Sequence, residues 1–275
     1  MKTIFNPYPE IGKQLINGME FIIKNIKKTD NVDDLVDIVS KYVSSLYYPK
    51  NENTEKLIEI KSVAYNVINT YLNSTFESSV SYNSNQNLFI SLMLRCLNSI
   101  PVYGVGSYLK DVEESIVSSG ISIVEQTPLL IASMNGRSIN SYWENTISST
   151  SKGKWNNFIN PNPAINNASI PFWTEACIQG SLIGANASYR GLISTTIEIV
   201  TVEIVSALIG ALSIGAGVVL FSWIPKVNLS FGGCSDDFEG MRRENTGAGS
   251  YTESGISVSY TADFIKGNRA RYYFN

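Results

Sequence analysis

The first apolar pattern in the chain has the period of an α-helix. Apolar residues over 11–27 recur at helical spacing and leave the opposite face polar, which predicts an amphipathic helix. Gly12 and Gly18 lie inside that segment, where each costs about 1 kcal/mol relative to alanine. We therefore expect the two glycines to mark close contacts with other helices.

Two more helices with one apolar face are predicted after it. Asp30 or Asn31 can cap the second helix, and Asp34 stands where a capping box requires an acidic side chain. Thr54 can cap the third. Because each predicted helix is apolar on one face only, each should cover a core with that face.

The stretch Leu88–Ile100 differs, since it is a nearly continuous apolar run. Such a run predicts a buried helix, which we place at the centre of an α-helical domain over residues 1–150. Residues 103–107 (YGVGS) are predicted to form a turn. Thr127-Pro128 is predicted to start a further helix and Gly136 to end it.

The most apolar segment is Ile204–Ile224, which has no charged residue and is bracketed by Glu203 and Lys226. As a helix it would be roughly 30 Å long, which is about the hydrocarbon thickness of a bilayer. Small residues repeat along it and would let a second backbone approach closely. The candidate packing or membrane-inserting residues here are Ala207, Gly210, Ala211, Gly215, Gly217, Phe221 and Trp223.

A second set of small residues precedes it at i+4 spacing: Ala176, Gly180, Gly184 and Ser188. Two such stripes in succession predict a tightly packed apolar helical hairpin over 172–225, with its turn near 190–196. Each stripe should face another helix, most simply the other stripe. The segment needs either lipid or protein around it, and the pattern is compatible with both.

The rest of the chain supplies a linker and a tail. Residues 151–171 hold three prolines and read as a linker, with Trp155 and Phe158 as anchors. The tail over 226–275 is predicted to be β-rich, with an antiparallel hairpin of Ile256–Ile265 and Arg269–Phe274. The predicted fold class is mainly α: a helical bundle with a glycine-striped apolar hairpin and a small C-terminal β-hairpin.

Composition excludes several kinds of chemistry. The net charge of −3 argues against nucleic-acid binding, which needs a basic surface. The chain has no histidine, which removes histidine triads and histidine metal ligands. Its three cysteines are far apart, so no CxxC motif exists. We predict no cofactor, no metal site and no catalytic residue, and hence a protein that is not an enzyme.

The N-terminal string Asn6-Pro7-Tyr8, Gly12 and Gly18-Met19-Glu20-Phe21-Ile22 resembles the opening of a group of uncharacterised exported proteins of Bacteroidetes. The Gly/Ala-rich stretches 175–185 and 210–217 are similar to a segment near the C-terminal ends of that group. The family pattern has a His-Asn pair where this chain has Leu15-Ile16, so any role of that pair is lost. The resemblance implies a bacterial, exported origin, although residues 1–10 have no signal-peptide pattern. A secreted or cell-surface protein is therefore favoured.

Two hypotheses for function follow from the apolar hairpin. In the first, the protein is membrane-active, in the manner of helical pore formers or large bacteriocins, and inserts a stored hairpin into a bilayer. In the second, it is a soluble structural or binding protein whose hairpin is its buried core. A resident membrane protein is a third alternative. The expected partner is a lipid bilayer or another helix, and a homo-oligomer is one form that a pore could take.

Overall fold

The structure is a computed structural model, and its described residues cover most of the chain up to residue 223. They are 6–48, 54–74, 76, 80–95, 97, 100, 102–148, 153–159, 163–189 and 199–223, with the backbone of three strands further on.

The described part of the chain up to residue 223 is an all-α packed bundle of eight helices, which confirms the mainly α fold class. A short 3₁₀ helix, Gly153–Asn157, lies between the sixth and the seventh. The helices are α1 Pro9–Asn25, α2 Val32–Tyr47, α3 Thr54–Asn73, α4 Ser84–Arg95, α5 Val102–Ser118, α6 Ile123–Ser148, α7 Pro163–Tyr189 and α8 Ile199–Leu220.

The helices α7 and α8 form the centre of the bundle and run antiparallel to each other. Helices α1, α2, α3 and α6 pack around α8, while α3, α5 and α6 pack against α7. Helix α4 lies at the rim against α5 and α6. The outer helices turn their apolar faces inward, so that Leu15, Leu35 and Val63 are fully buried.

The start of α2 confirms the predicted capping box. The side-chain oxygen of Asn31 accepts hydrogen bonds from the backbone N–H groups of Asp33 and Asp34, at 2.8 and 3.2 Å. The carboxylate of Asp34 accepts one from the backbone N–H of Asn31, at 2.9 Å. Free N–H groups at the helix start are thereby satisfied by local sequence alone.

The prediction that Leu88–Ile100 forms the centre of the domain is wrong. Leu88 is 58% exposed, whereas Phe89, Ile90, Met93 and Leu94 are buried against α5 and α6. Helix α4 is therefore a one-sided rim helix. Its apolar run looks continuous because the exposed Leu88 comes directly before the residues of the buried face. The sequence pattern alone does not distinguish an exposed apolar residue from a buried one.

The predicted turn at 103–107 and two predicted helix boundaries are also wrong. Residues 103–107 lie within α5, because burial of Val105 and Leu109 outweighs the helix cost of Gly104 and Gly106. Helix α6 continues through both Thr127-Pro128 and Gly136.

The start of α6 lies before Pro128, because Ser122 caps it. The hydroxyl of Ser122 accepts a hydrogen bond from the N–H of Glu125, and the Glu125 carboxylate accepts one from the N–H of Ser122. Gly136 lies inside α6 at a close approach to α7 and does not end the helix. A methyl group there would lie 2.6 Å from Cδ1 of Ile178 in α7, so the contact between the two helices favours glycine.

The predicted linker over 151–171 is partly helical. Residues 153–157 form the 3₁₀ helix, and α7 begins at Pro163, with Pro171 inside it. Trp155 is buried and Phe158 packs against the core, as expected of anchors. The division of the chain into an N-terminal domain, a hairpin and a tail stays a prediction.

The C-terminal part has three antiparallel strands in the order β1 Arg243–Glu253, β2 Ile256–Ile265 and β3 Arg269–Phe274. In the backbone register, Tyr260 pairs with Phe274 and Ile265 with Arg269. Only this backbone pairing is described, and the helical bundle alone carries the fold class.

Candidate membrane-active hairpin

The backbones of α7 and α8 lie in close contact with each other. A methyl group at Gly184 would overlap the carbonyl oxygen of Ser206 and lie 3.3 Å from the Cα atom of Ala207. A methyl group at Gly210 would overlap the carbonyl oxygen of Gly180. Only glycine fits at these positions, so the two predicted stripes lie against each other at Gly180, Gly184 and Gly210.

The other predicted residues of the hairpin occupy different surroundings. Ala176, Ala207 and Ala211 are fully buried. Gly215 has a looser contact, because a methyl group there would lie 3.5 Å from the Cβ atom of Cys177. The side chain of Ser188 lies outside the described residues.

The chain folds back onto the end of α8 just after the helix. A methyl group at Gly217 would overlap the indole ring of Trp223. The rings of Phe221 and Trp223 have centroids 5.4 Å apart and are partly exposed next to the core. These three residues therefore pack together at the end of α8.

Helix α8 is enclosed by protein along its length. Val202–Leu220 is the one helix in the described part that is long and apolar enough to span a bilayer, and 94% of it is buried. Helix α1 approaches it at Gly18, where a methyl group would lie 2.6 Å from Cδ2 of Leu212. A buried core helix of a soluble protein has the same length, composition and burial.

Helix α7 carries polar side chains that bind the surrounding helices. The amide of Asn135 donates to the hydroxyl of Ser181 at 3.1 Å, and the hydroxyl of Thr174 donates to the side-chain oxygen of Asn140 at 3.3 Å. The hydroxyl of Tyr82 donates to the carbonyl oxygen of Leu182 at 2.8 Å. Helix α7 is therefore hydrogen-bonded to its surroundings.

Two serine hydroxyls of α8 lie in apolar surroundings. The hydroxyls of Ser206 and Ser213 are buried without a hydrogen-bond partner among the described residues. Apolar packing and the glycine contact with α7 hold helix α8 in the bundle. Helix α7 adds the hydrogen bonds to its surroundings described above.

Three glutamates are buried in or beside this centre. Glu175 accepts a hydrogen bond from the amide of Gln179 at 3.1 Å, and Glu203 lies in the first turns of α8, 2% exposed. Glu113 of α5 accepts a bond of 2.8 Å from the guanidinium of Arg137. Burial raises the pKa of Glu113, and the positive charge of Arg137 opposes this increase.

A cluster of aromatic side chains lies where α6, α7 and the 3₁₀ helix meet. The ring of Trp143 lies 4.9 Å from that of Trp155 and 4.8 Å from that of Trp173. The indole N–H of Trp155 donates to the hydroxyl of Tyr142 at 2.6 Å, and that hydroxyl donates to Glu20 of α1 at 2.7 Å. The sequence indicated Trp155 as an anchor but held no sign of its partners, which lie on distant helices.

Candidate chemistry is sparse in the described residues. No group of three or more His, Cys, Asp or Glu side chains there could hold a metal ion. The thiol of Cys177 is fully buried, and burial raises its pKa, which keeps it protonated and unreactive.

No known protein-family pattern, curated protein sequence or solved structure matches this chain.

Proposed function

We propose that this protein is membrane-active and stores the α7–α8 hairpin inside the bundle until the hairpin inserts into a lipid bilayer. The observation that carries the proposal is the enclosed helix Val202–Leu220, which is long and apolar enough to span a bilayer. A bilayer and a protein interior accept the same apolar surface. Moving such a helix from one to the other therefore costs little for the helix itself.

The outer helices fit a bundle that can open. Helices α1 and α2 are amphipathic, and each covers the hairpin with one apolar face. After the hairpin leaves, those faces would lie at the membrane interface, where amphipathic helices bind with their apolar side in the acyl boundary. An assembly of several inserted chains, and a secreted or cell-surface location, are part of the same proposal.

Opening requires that α7 lose its contacts with α6. The bonds Asn135–Ser181 and Thr174–Asn140 would break, at about 1 kcal/mol each. The glycine contact between α7 and α8 can persist, because the two helices can move as a pair. This distinction provides the test below.

We further propose that the strand pair β2–β3 is a β-hairpin outside the helical fold class, in a tail that follows the apolar segment. Its support is the period-two pattern of Ile256–Ile265 and the antiparallel backbone register with Arg269–Phe274. No catalytic role is proposed for any residue of the chain.

A second candidate function is that of a soluble structural or binding protein whose hairpin is simply its core. The observation that favours it is the hydrogen bonding of α7 to α6, since a segment made for lipid would carry fewer buried polar side chains. The two candidates differ in whether the hairpin ever leaves α6.

A disulfide between α6 and α7 tests this difference. A methyl group at Gly136 lies 2.7 Å from Cγ1 of Ile178. The Cβ atoms of these residues therefore lie within about 4.2 Å, inside the range of roughly 3.5–4.5 Å that a disulfide spans. The variant is Gly136→Cys/Ile178→Cys, with the three native cysteines replaced by serine or alanine. Dye release from vesicles of anionic and of zwitterionic lipid is measured before and after reduction.

The matched control is a disulfide within the hairpin. Gly215→Cys would face Cys177 with a Cβ–Cβ distance of 3.5 Å, so α7 and α8 would be joined to each other but not to the bundle. We expect the α6–α7 disulfide to abolish dye release until it is reduced, and the α7–α8 disulfide to leave release intact. Absence of release from the reduced proteins on both lipids at acidic and neutral pH would contradict the membrane proposal and favour the soluble one.

A further inference from the structure

An open groove of about 1110 Å³ runs along the outside of the bundle between α1 and α5, with α6 as its floor. Both walls pack against α6. One end is bounded by the 3₁₀ helix with Trp155. The groove thus has two helices as sides and a third as base, which is the geometry that accepts a helix from a partner.

The groove is basic although the chain as a whole carries a net charge of −3. Five cationic side chains line it against two carboxylates, Glu20 and Glu144. Glu20 already accepts the hydrogen bond from Tyr142. The cations are Lys13, Lys24, Lys110, Arg137 and Lys154.

Three of these cations are not used by the bundle for charge pairing. Lys13 pairs with Glu10 and Arg137 with Glu113. Lys24, Lys110 and Lys154 form no ion pair within the described part of the chain. Lys154 instead donates to the carbonyl oxygen of Lys24 at 3.2 Å, which holds its charge at the C-terminal end of α1.

The wall formed by α5 carries two features of a contact surface. Tyr103 is 84% exposed at the groove, and an exposed tyrosine is a frequent anchor in interfaces. Gly106 lies inside α5, and no atom of the described residues lies within 4 Å of where its side chain would begin, so none of them requires glycine there. Glycine in a helix costs stability relative to alanine, and a close partner would explain why it is present.

We propose that this groove binds an acidic amphipathic helix of a partner protein. Charge complementarity favours an acidic occupant, because the unpaired lysines stand on both walls. The concave shape favours a helix over a membrane, since a planar bilayer cannot enter a groove between two helices. The proposal does not depend on whether the α7–α8 hairpin inserts into lipid.

The test is a selection from a displayed library of short helical peptides with randomised surface positions, performed on the full chain at low salt. We expect the selected peptides to be rich in Asp and Glu. Their binding should weaken at least tenfold in Lys24→Glu/Lys110→Glu and weaken with added salt. In Gly106→Leu the new side chain projects into open space, so binding should be lost while the melting temperature is kept or raised.

The matched control is Lys28→Glu/Lys41→Glu, which makes the same charge change at exposed lysines outside the groove and should leave binding unchanged. Neutral or basic selected peptides, or equal loss in the two charge-reversed variants, would overturn the proposal. Vesicles of phosphatidylcholine with phosphatidylserine provide the other arm. If the groove variants weaken vesicle binding and leave peptide binding intact, the groove binds lipid headgroups and the proposal is wrong.

Discussion

The central hairpin and the α4–α5 pair at the rim bury apolar surface in opposite ways. In the hairpin, glycines bring two backbones into contact, and α8 is enclosed on every side. At the rim, side chains such as Met93 and Leu109 fill the space between helices, and the hydroxyl of Tyr108 donates to the carbonyl oxygen of Leu92. The two regions therefore use glycine differently. Gly184 lies in a tight contact between two helix backbones, whereas Gly106 faces the open groove.

The two regions should differ most in how much unfolding free energy is lost when a leucine is replaced by alanine. Leu212→Ala removes a fully buried side chain at the centre and should cost about 2–5 kcal/mol of unfolding free energy. Leu88→Ala at the rim removes an exposed side chain and should change it by less than about 0.5 kcal/mol. Urea unfolding of both variants measures the contrast. Equal losses would mean that the centre and the rim are not distinguished by burial.

A glycine-to-alanine pair should change stability in opposite directions. Gly184→Ala places a methyl group on the carbonyl of Ser206 and should cost about 1–3 kcal/mol. Gly106→Ala meets no atom and should stabilise the protein by up to about 1 kcal/mol through helix propensity. The melting temperature of each variant gives the sign. A stabilising Gly184→Ala would show that α7 and α8 are not held in backbone contact.

A smaller effect is expected from the hydrogen bond between α5 and α4. Tyr108→Phe removes the bond to the Leu92 carbonyl and should cost about 0.5–1.5 kcal/mol. Because α4 lies at the rim, its backbone amides should exchange faster with solvent while those of α8 keep their rates. Hydrogen exchange measured by mass spectrometry gives both helices at once. Faster exchange in α8 would mean that the rim and the centre unfold together.

The smallest predicted effect is pH-dependent and lies at the contact between α5 and α6. Burial raises the pKa of Glu113, with Arg137 in opposition, so the folded protein holds this proton more tightly than the unfolded chain does. The stability that Glu113 contributes is present below its ordinary pKa and is lost as pH rises through the raised value.

Glu113→Gln cannot ionise and does not lose this stability. Its unfolding free energy relative to the wild type should therefore increase as pH rises above the ordinary glutamate range. Urea unfolding of both proteins over a pH series measures the difference. A difference that is constant or that decreases with pH would contradict the raised pKa.

Local patterns in the sequence were sufficient for several elements of the fold. The capping box at Asn31 and the one-sided pattern of 11–27 each depend on residues within a few positions of one another, so they can be read from the chain. The same holds for the i+4 glycine stripe of α7, whose spacing indicates a close contact. The sequence could not specify the partner of each glycine, since the nearest neighbour of Gly217 is Trp223 and that of Gly184 is Ser206.

The errors have a common physical cause, which is that tertiary packing overrides local signals. Gly104, Gly106, Pro128 and Gly136 all suggest helix ends, yet each lies inside a helix that buries an apolar face against its neighbours. The apolar run at Leu88 indicated a centre because hydrophobicity reports how much surface could be buried, not where it is buried. Leu88 is exposed because α5 and α6 pack against the opposite face of its helix, which the sequence does not show.

The sequence by itself determined that the long uncharged segment and its glycine-striped partner must be buried, because exposing so much apolar surface to water is unfavourable in free energy. Only the tertiary structure decided which helices cover them, since contacts such as Gly18–Leu212 join residues far apart in the chain. It likewise decided the groove between α1 and α5, whose lysines are scattered in sequence. Lysines that are far apart in the sequence come to line the same groove only when the helices that carry them pack side by side.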